Sequence, residues 1–397
     1  MIDLLIHNAK LIHPGENIEP GWLGISADKI AAVGTATTSP PEATIHLNAN
    51  GRRLSPGLID VHTHGIGPYL YERDPEEILA AAPMLAQFGT TCVLPTLYRV
   101  MQRPSLKHLE RLAAVLSRVT GICMPGFHLE GPFLALAGAG AATLPGDVGL
   151  LDELLAACGG KVRAMSVSPE TPNILPVIEQ LIRHGVTPFV THTRATAEQT
   201  QAAIDAGARH ATHFYDVFPM PPETEPGVRP TGAVEAFLAD PRASVDFIAD
   251  GIHVHPTAIR AAVAAKGFAG IVLITDSNIG AGMPAGEFET PWGFRVRVSP
   301  TNAARIAEAT HPDFNGLAGS SLTMNAGLRN LLAWIKLPPG QVWAMATGNP
   351  ARLVGLARKG TLQPGADADL VLWNDDLTPA RTLVAGKTVY ESSGSLP

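Results

Sequence analysis

Short apolar runs of strand type recur through the middle of this chain, each followed by a longer stretch of helical composition. The runs are Leu58–Val61, Thr91–Leu94, Gly126–Leu129, Val162–Met165, Thr187–Val190, His210–His213, Ser244–Ile248 and Ile271–Ile274. Ala/Leu/Glu-rich segments at 75–88, 106–119, 174–184 and 197–206 lie between them. Parallel strands need a long crossover, usually a helix, so strict alternation over roughly 300 residues predicts an α/β fold, a (β/α)8 TIM-like barrel. A doubly wound open sheet is the rival, but no Gly-x-Gly-x-x-Gly follows a strand.

The two ends have a different character. Leu4–Ile6, Leu23–Ile25 and Ile30–Val33 are β-type runs separated by Pro14-Gly15 and Pro20-Gly21. The tail resumes that style with Asp369–Trp373, then Arg381–Tyr390 as a hairpin through Gly386-Lys387. One small β-sandwich domain built from both termini is therefore expected. It would take residues 1–55 and 358–397 and flank a catalytic barrel at 56–357. The proline-rich 218–230 stretch reads as a long loop of that barrel.

Composition narrows the function classes. With 397 residues, 46% of them hydrophobic and 16% charged, a large core is expected and wholesale disorder is not. The 36 acids against 29 bases, with no basic block, argue against a nucleic-acid partner. No apolar run approaches a membrane span, and Asp3 stands where a signal peptide would carry bases. Three scattered cysteines, Cys92, Cys123 and Cys158, suit a reducing compartment, so a cytoplasmic enzyme of a small molecule is expected.

The chemistry is signalled at the C-terminal ends of these runs. His62 and His64 end the first run, at a spacing that turns both imidazoles the same way. Glu130 ends the third, His192 the fifth, His213 the sixth and Asp276 the eighth. In a barrel these ends share one face. A lone histidine there is more often a hydrogen-bonded core residue, and Asp276 before Ser277-Asn278 can simply cap a turn. Six ligand-type side chains at matching ends instead point to one or two divalent metal ions. Zinc is the first expectation, and iron, manganese or cobalt suit the same donors.

The stretch Leu54-Ser55-Pro56-Gly57-Leu58-Ile59-Asp60-Val61-His62-Thr63-His64-Gly65 resembles the strand-one signature of the amidohydrolase superfamily. Asn349-Pro350-Ala351-Arg352 and the run from Gly360 to Leu370 resemble its C-terminal signature. His128-Leu129-Glu130-Gly131-Pro132-Phe133, Ala211-Thr212-His213-Phe214-Tyr215, Ile274-Thr275-Asp276 and Leu317–Met324 are similar to the N-acetylglucosamine-6-phosphate deacetylase family within it.

That resemblance implies that Glu130, His192 and His213 hold one metal. His62 and His64 hold a second, with Glu130 as bridge, and Asp276 is general base and acid. It implies cleavage of a linear amide by metal-activated hydroxide, on an N-acetyl amino sugar 6-phosphate. It places the loop at Ala141 beside the substrate, Asp216 and Val217 at the sugar phosphate, and Arg229 and His253 on that phosphate. The arginine would come from the neighbour in a homodimer, and the Leu317, Ala318, Gly319, Ser320 loop would hold the sugar. No lysine ends the fourth run at Ser166, unlike the cyclic-amide hydrolases that bridge two metals with a carboxylated lysine.

Four positions depart from the deacetylase pattern. Ala142 stands where a histidine is usual, Asp216-Val217 replaces Asn-Ala, Thr193-Arg194 replaces Ser-Asn, and the 218–230 loop is unusually rich in proline. Hydrolysis of another N-acyl compound, or deamination of a nucleobase, is the other reaction on the same barrel. A metal-free scaffold is the non-enzymatic alternative.

Overall fold

The structure is a computed structural model that describes residues 2–138, 140–299 and 303–393. Eight parallel strands form the central sheet: β1 (Leu58–Thr63), β2 (Thr90–Leu97), β3 (Phe127–Glu130), β4 (Val162–Val167), β5 (Thr187–Val190), β6 (His210–Ala211), β7 (Ser244–Ile248) and β8 (Ile271–Ile274). Each pairs with its sequence neighbour in order. The circle closes where the exits of β8 and β1 meet: Asp276 N donates to His62 O at 2.9 Å, and His64 N to Ser277 O at 2.8 Å. This is the expected TIM-like barrel. Every residue of β1, β2, β3 and β8 is buried, as strands covered on both faces must be.

The intervening helices start where the local chemistry demands. Asp74 accepts from Glu76 N at 2.9 Å ahead of helix Pro75–Gln87, with proline at its first turn. Asp147 caps Val148–Ala157 through Leu150 N, and Thr196 with Gln199 forms a capping box for Ala197–Ala206. Among the described residues no helix is long and apolar enough to cross a membrane.

Both termini build the small β domain. Strands Ile2–Ile12, Ile18–Ser26, Lys29–Thr35, Ala43–Asn48 and Arg53–Pro56 join Leu370–Trp373, Pro379–Val384 and Lys387–Glu391 in one sheet. It branches at Ile2–Ile12, whose first half pairs with Ala43–Asn48 and whose second half pairs with Arg53–Pro56. The branch lets the sheet fold over its own core of Ile6, Leu11, Leu23, Leu54, Leu370 and Leu383. The hairpin turn falls one residue earlier than expected, on Ala385-Gly386, with φ of 50° and 74°. Two positive φ angles are what a two-residue turn between twisted strands needs, so Lys387 belongs to the strand.

One element was not anticipated. Gly286–Glu289, Arg295–Val298, Ala303–Ile306 and Leu317–Ser320 form a four-stranded antiparallel sheet inserted after β8. Leu317–Ser320 is thus a strand paired with Ala303–Ile306 rather than a loop.

Candidate metal centre and active site

All six residues at the strand ends converge. His62 lies within β1, His64 just beyond it, and Glu130 closes β3. His192, His213 and Asp276 each stand two residues past the end of their strand, with φ of 50°, 36° and 46°. This left-handed backbone costs of order 1–3 kcal/mol per residue. It folds the chain back at the rim as these side chains enter the barrel mouth.

Glu130 is the hub. Its Oε1 is 3.2 Å from His192 Nε2 and 3.0 Å from His213 Nε2, and its Oε2 is 3.2 Å from His64 Nε2. Asp276 Oδ1 lies 3.2 Å from His62 Nε2 and 3.3 Å from His64 Nε2. Two sets of donor atoms fall within 4.8 Å of one another: His62, Glu130 and His213; and His62, His64 and Asp276. All six side chains are buried. Burial alone would raise Glu130, but the surrounding histidines hold it well below the usual carboxylate range. Asp276 is likewise held down by His62 and His64 against its burial.

The outer contacts suit a cation. His64 Nδ1 faces Thr96 O at 3.2 Å, and His192 Nδ1 faces Leu136 O at 3.0 Å. A proton donated there leaves Nε2 as the free lone pair, the arrangement usual for metal-ligating histidine. His62 Nε2 is buried and makes no hydrogen bond. An orphaned nitrogen amid imidazoles and carboxylates fits a divalent ion better than a hydrogen-bond network. Below the ligands, Asp246 accepts from His213 N at 2.5 Å and from Thr212 Oγ1 at 2.9 Å, fixing that strand end.

Beside the cluster opens a cavity of about 300 Å³. Ala141, Asp216, Val217, His253, Leu317, Ala318 and Gly319 line it. The His253 side chain is buried, with Nδ1 2.7 Å from Asp250 Oδ2, whereas His255 caps helix Pro256–Lys266 from outside. One expected substrate residue does not reach the cavity, and the arginine expected from a neighbour lies outside its own chain's cavity. Ser320 is wholly buried, its hydroxyl donating to Thr275 O at 2.5 Å, so it supports the Asp276 turn instead. Arg229 lies in a separate surface groove, paired with Glu235 at 2.6 Å.

The sequence reading missed Tyr98, Trp292, Phe294, Ile306 and Asp313, which also line the cavity. Trp292 is fixed by its indole N–H donating to Glu72 Oε1 at 2.8 Å, and Tyr98 packs edge-on against both Trp292 and His64. Period-two alternation through Phe294-Arg295-Val296-Arg297-Val298 was the available strand signal.

A family model described as the amidohydrolase family matches residues 53–389. The chain belongs to this family. The N-acetylglucosamine-6-phosphate deacetylase of Bacillus subtilis (strain 168) is 30% identical over 399 residues, 98% of each chain. The N-acetylgalactosamine-6-phosphate deacetylase of Escherichia coli O157:H7 is 32% identical over 377 residues, 93% of this chain and 96% of the relative. Among solved structures, the N-acetyl-D-glucosamine-6-phosphate deacetylase of Mycobacterium smegmatis superposes with a TM-score of 0.86 at 31% identity, covering 98% of this chain and all of that one. A mutant of that enzyme in complex with N-acetyl-D-glucosamine-6-phosphate gives 0.85. Members of this amidohydrolase family are typically metal-dependent, and the paired donor sets fit that chemistry.

Proposed function

We propose that this chain is a metal-dependent deacetylase of N-acetylated amino sugars, the substrate class its relatives name, N-acetylglucosamine 6-phosphate among them. The observation that carries the reading is the meeting of His62, His64, Glu130, His192, His213 and Asp276 at one end of the barrel, beside a closed-in cavity. Glu130, His192 and His213 would hold one ion, and His62 and His64 the second, with zinc as the preferred metal. When bound, a divalent cation polarises an amide carbonyl and acidifies water.

The chain's own groups do the rest. Asp276, an ionised carboxylate beside both donor sets, takes the proton from the attacking water and delivers it to the amine nitrogen, which leaves neutral. The Tyr98–Trp292 wall and the Leu317–Gly319 strand flank the substrate and exclude bulk water. No serine or cysteine nucleophile is required. Exposed Arg229 would reach a second copy of the chain in a homodimer, as the resemblance implies.

Acetate release from N-acetylated hexosamines and their 6-phosphates, by metal-loaded and chelated protein, tests the reading. Metal-dependent release is expected. No release from any such sugar by fully loaded protein would reject it.

A further inference from the structure

An amide under attack gathers negative charge on its carbonyl oxygen, and a fixed hydrogen-bond donor aimed at that oxygen lowers the barrier. The loop through Gly140, Ala141 and Ala142 brings Ala141 to the cavity but carries no donor side chain. Among the described residues, four side chains that line the cavity outside the six-residue cluster have a donor: Tyr98, His253, Asn278 and Trp292. Asn278 is held to the chain at both ends of its amide, by Ala318 O at 2.9 Å and Ile279 N at 2.7 Å. Trp292 donates to Glu72 Oε1 at 2.8 Å. His253 is seated on Asp250, and Asp216 acts on it ahead of Asp276, which sets it on the Asp216 side of the cavity.

Tyr98 is placed differently. It directly follows β2, at the rim where the ligand side chains enter. Its hydroxyl makes no hydrogen bond among the described residues, yet it is not sealed off as that of Tyr71 is. Its ring stands edge-on to His64 with centroids 5.1 Å apart, and the charges of Glu130 and Asp276 both act on it. The ring is also held. Trp292 packs against it at 5.2 Å, Arg99 Cζ lies 5.8 Å from its centroid, and Glu72 Oε2 accepts from the backbone N–H groups of Tyr98 and Arg99 at 3.0 and 3.1 Å. An unspent hydroxyl on a fixed ring is a preorganised donor.

We infer that Tyr98 is a catalytic residue whose hydroxyl donates to the amide oxygen of the substrate. The inference rests on the deacetylase reading above and adds a group to its mechanism. As the water oxygen bonds to the carbonyl carbon, the π pair moves onto the oxygen that Tyr98 faces, and the hydrogen bond strengthens with the new charge. When that pair returns, the C–N bond breaks and the amine leaves with the proton from Asp276. The phenol keeps its own proton throughout.

The test is Tyr98→Phe in the metal-loaded full chain, on whichever N-acetylhexosamine or 6-phosphate the wild type turns over fastest and on its N-trifluoroacetyl analogue. Loss of one such donor should lower kcat on the acetyl substrate about 10²-fold, with KM changed by less than about threefold. Tm and metal content should match wild type, because the lost hydroxyl holds nothing within the chain. A trifluoroacetyl oxyanion is less basic and gains less from a donor, so the loss on that substrate should be about fivefold smaller. Wild-type kcat in the variant, or equal losses on the two substrates, overturns the inference while leaving the deacetylase reading standing. A fall in kcat that follows lost metal or lowered Tm makes Tyr98 a structural prop and overturns it as well. Inactivity of the fully loaded wild type on every such sugar rejects the reading and the inference together.

Discussion

Nδ1 of His62 lies 3.2 Å from Nδ1 of His128, wholly buried beneath the ligand cluster. His128 Nε2 is in turn 2.9 Å from Ser166 Oγ, and burial keeps this imidazole neutral by pulling it well below the ordinary histidine range. His128 Nδ1 also lies 3.0 Å from Val61 O, an acceptor only, so the ring that seats His62 is anchored to β1 itself. His128→Phe keeps the ring packing against Phe189 but removes the polar contacts that hold His62 in place. Metal affinity, read by competition with a chelator, should fall about 10- to 100-fold; wild-type affinity would show that His128 is only packing.

Asp276 is assigned the proton transfer. Asp276→Asn keeps the shape and an oxygen donor but loses the base, so kcat should drop by about 10² to 10⁴. Elemental analysis should still find most of the metal. Turnover near the wild-type rate would remove Asp276 from the mechanism.

Glu130 touches both donor sets, through Oε1 to His192 and His213 and through Oε2 to His64. Glu130→Gln should therefore cost metal at both positions, with activity lost in proportion to bound ion. Full metal content in a folded variant would refute a bridging role.

Protons and metal compete for the same nitrogens. Burial opposes charge on His64 and His213, but Asp276 and Glu130 beside His64, and Glu130 beside His213, push both up to about 10 with no cation among them. Folded values above the unfolded 6.5 mean stability that is fully present below pH 6.5 and lost as pH rises through about 10. The chelated protein should thus lose Tm over that window. The stabilisation added by metal should grow over the same range, because ligating imidazoles must be neutral. Thermal scans of both forms across pH check this, and a metal increment that shrinks with pH would contradict it.

Away from the site, Asp367 joins the two ends of the chain. It contacts Lys29 Nζ at 2.6 Å, Lys359 Nζ at 2.9 Å and Arg358 Nε at 3.2 Å. Burial raises its carboxyl, but these cations hold it down at about 2. A depressed acid contributes stability above its unfolded value near 3.8 and loses it as pH falls through about 2. The shift corresponds to about 2 kcal/mol. Asp367→Asn should lower denaturant stability by about that amount at neutral pH, with the gap closing between about pH 4 and pH 2. A gap unchanged by acid would show that the loss is not electrostatic.

The barrel and the ligand set were legible in sequence because both are local patterns. Each buried parallel strand is a short apolar run ended by a turn, and the ligand stands at or within two residues of that end, as His192 stands after Thr187–Val190. Other features depended on chain segments far apart. The cavity wall comes from Trp292 and Phe294 in a turn, and Ile306 on a strand, of the sheet inserted after β8, and Glu72, which fixes Trp292, lies more than two hundred residues earlier. Ser320 and Gly319 are neighbours of similar polarity, yet one is sealed under Thr275 and the other faces the cavity.

What the sequence determined alone was which side chains each strand delivers to the barrel mouth, because the strand period and the barrel's single functional face leave them no other place. Only the tertiary structure decided what surrounds them. The left-handed turns at His192, His213 and Asp276 and the seating of Trp292 on Glu72 arise where distant segments pack together. A cavity wall is a sum over everything that lines it, and no single stretch of chain contains that sum.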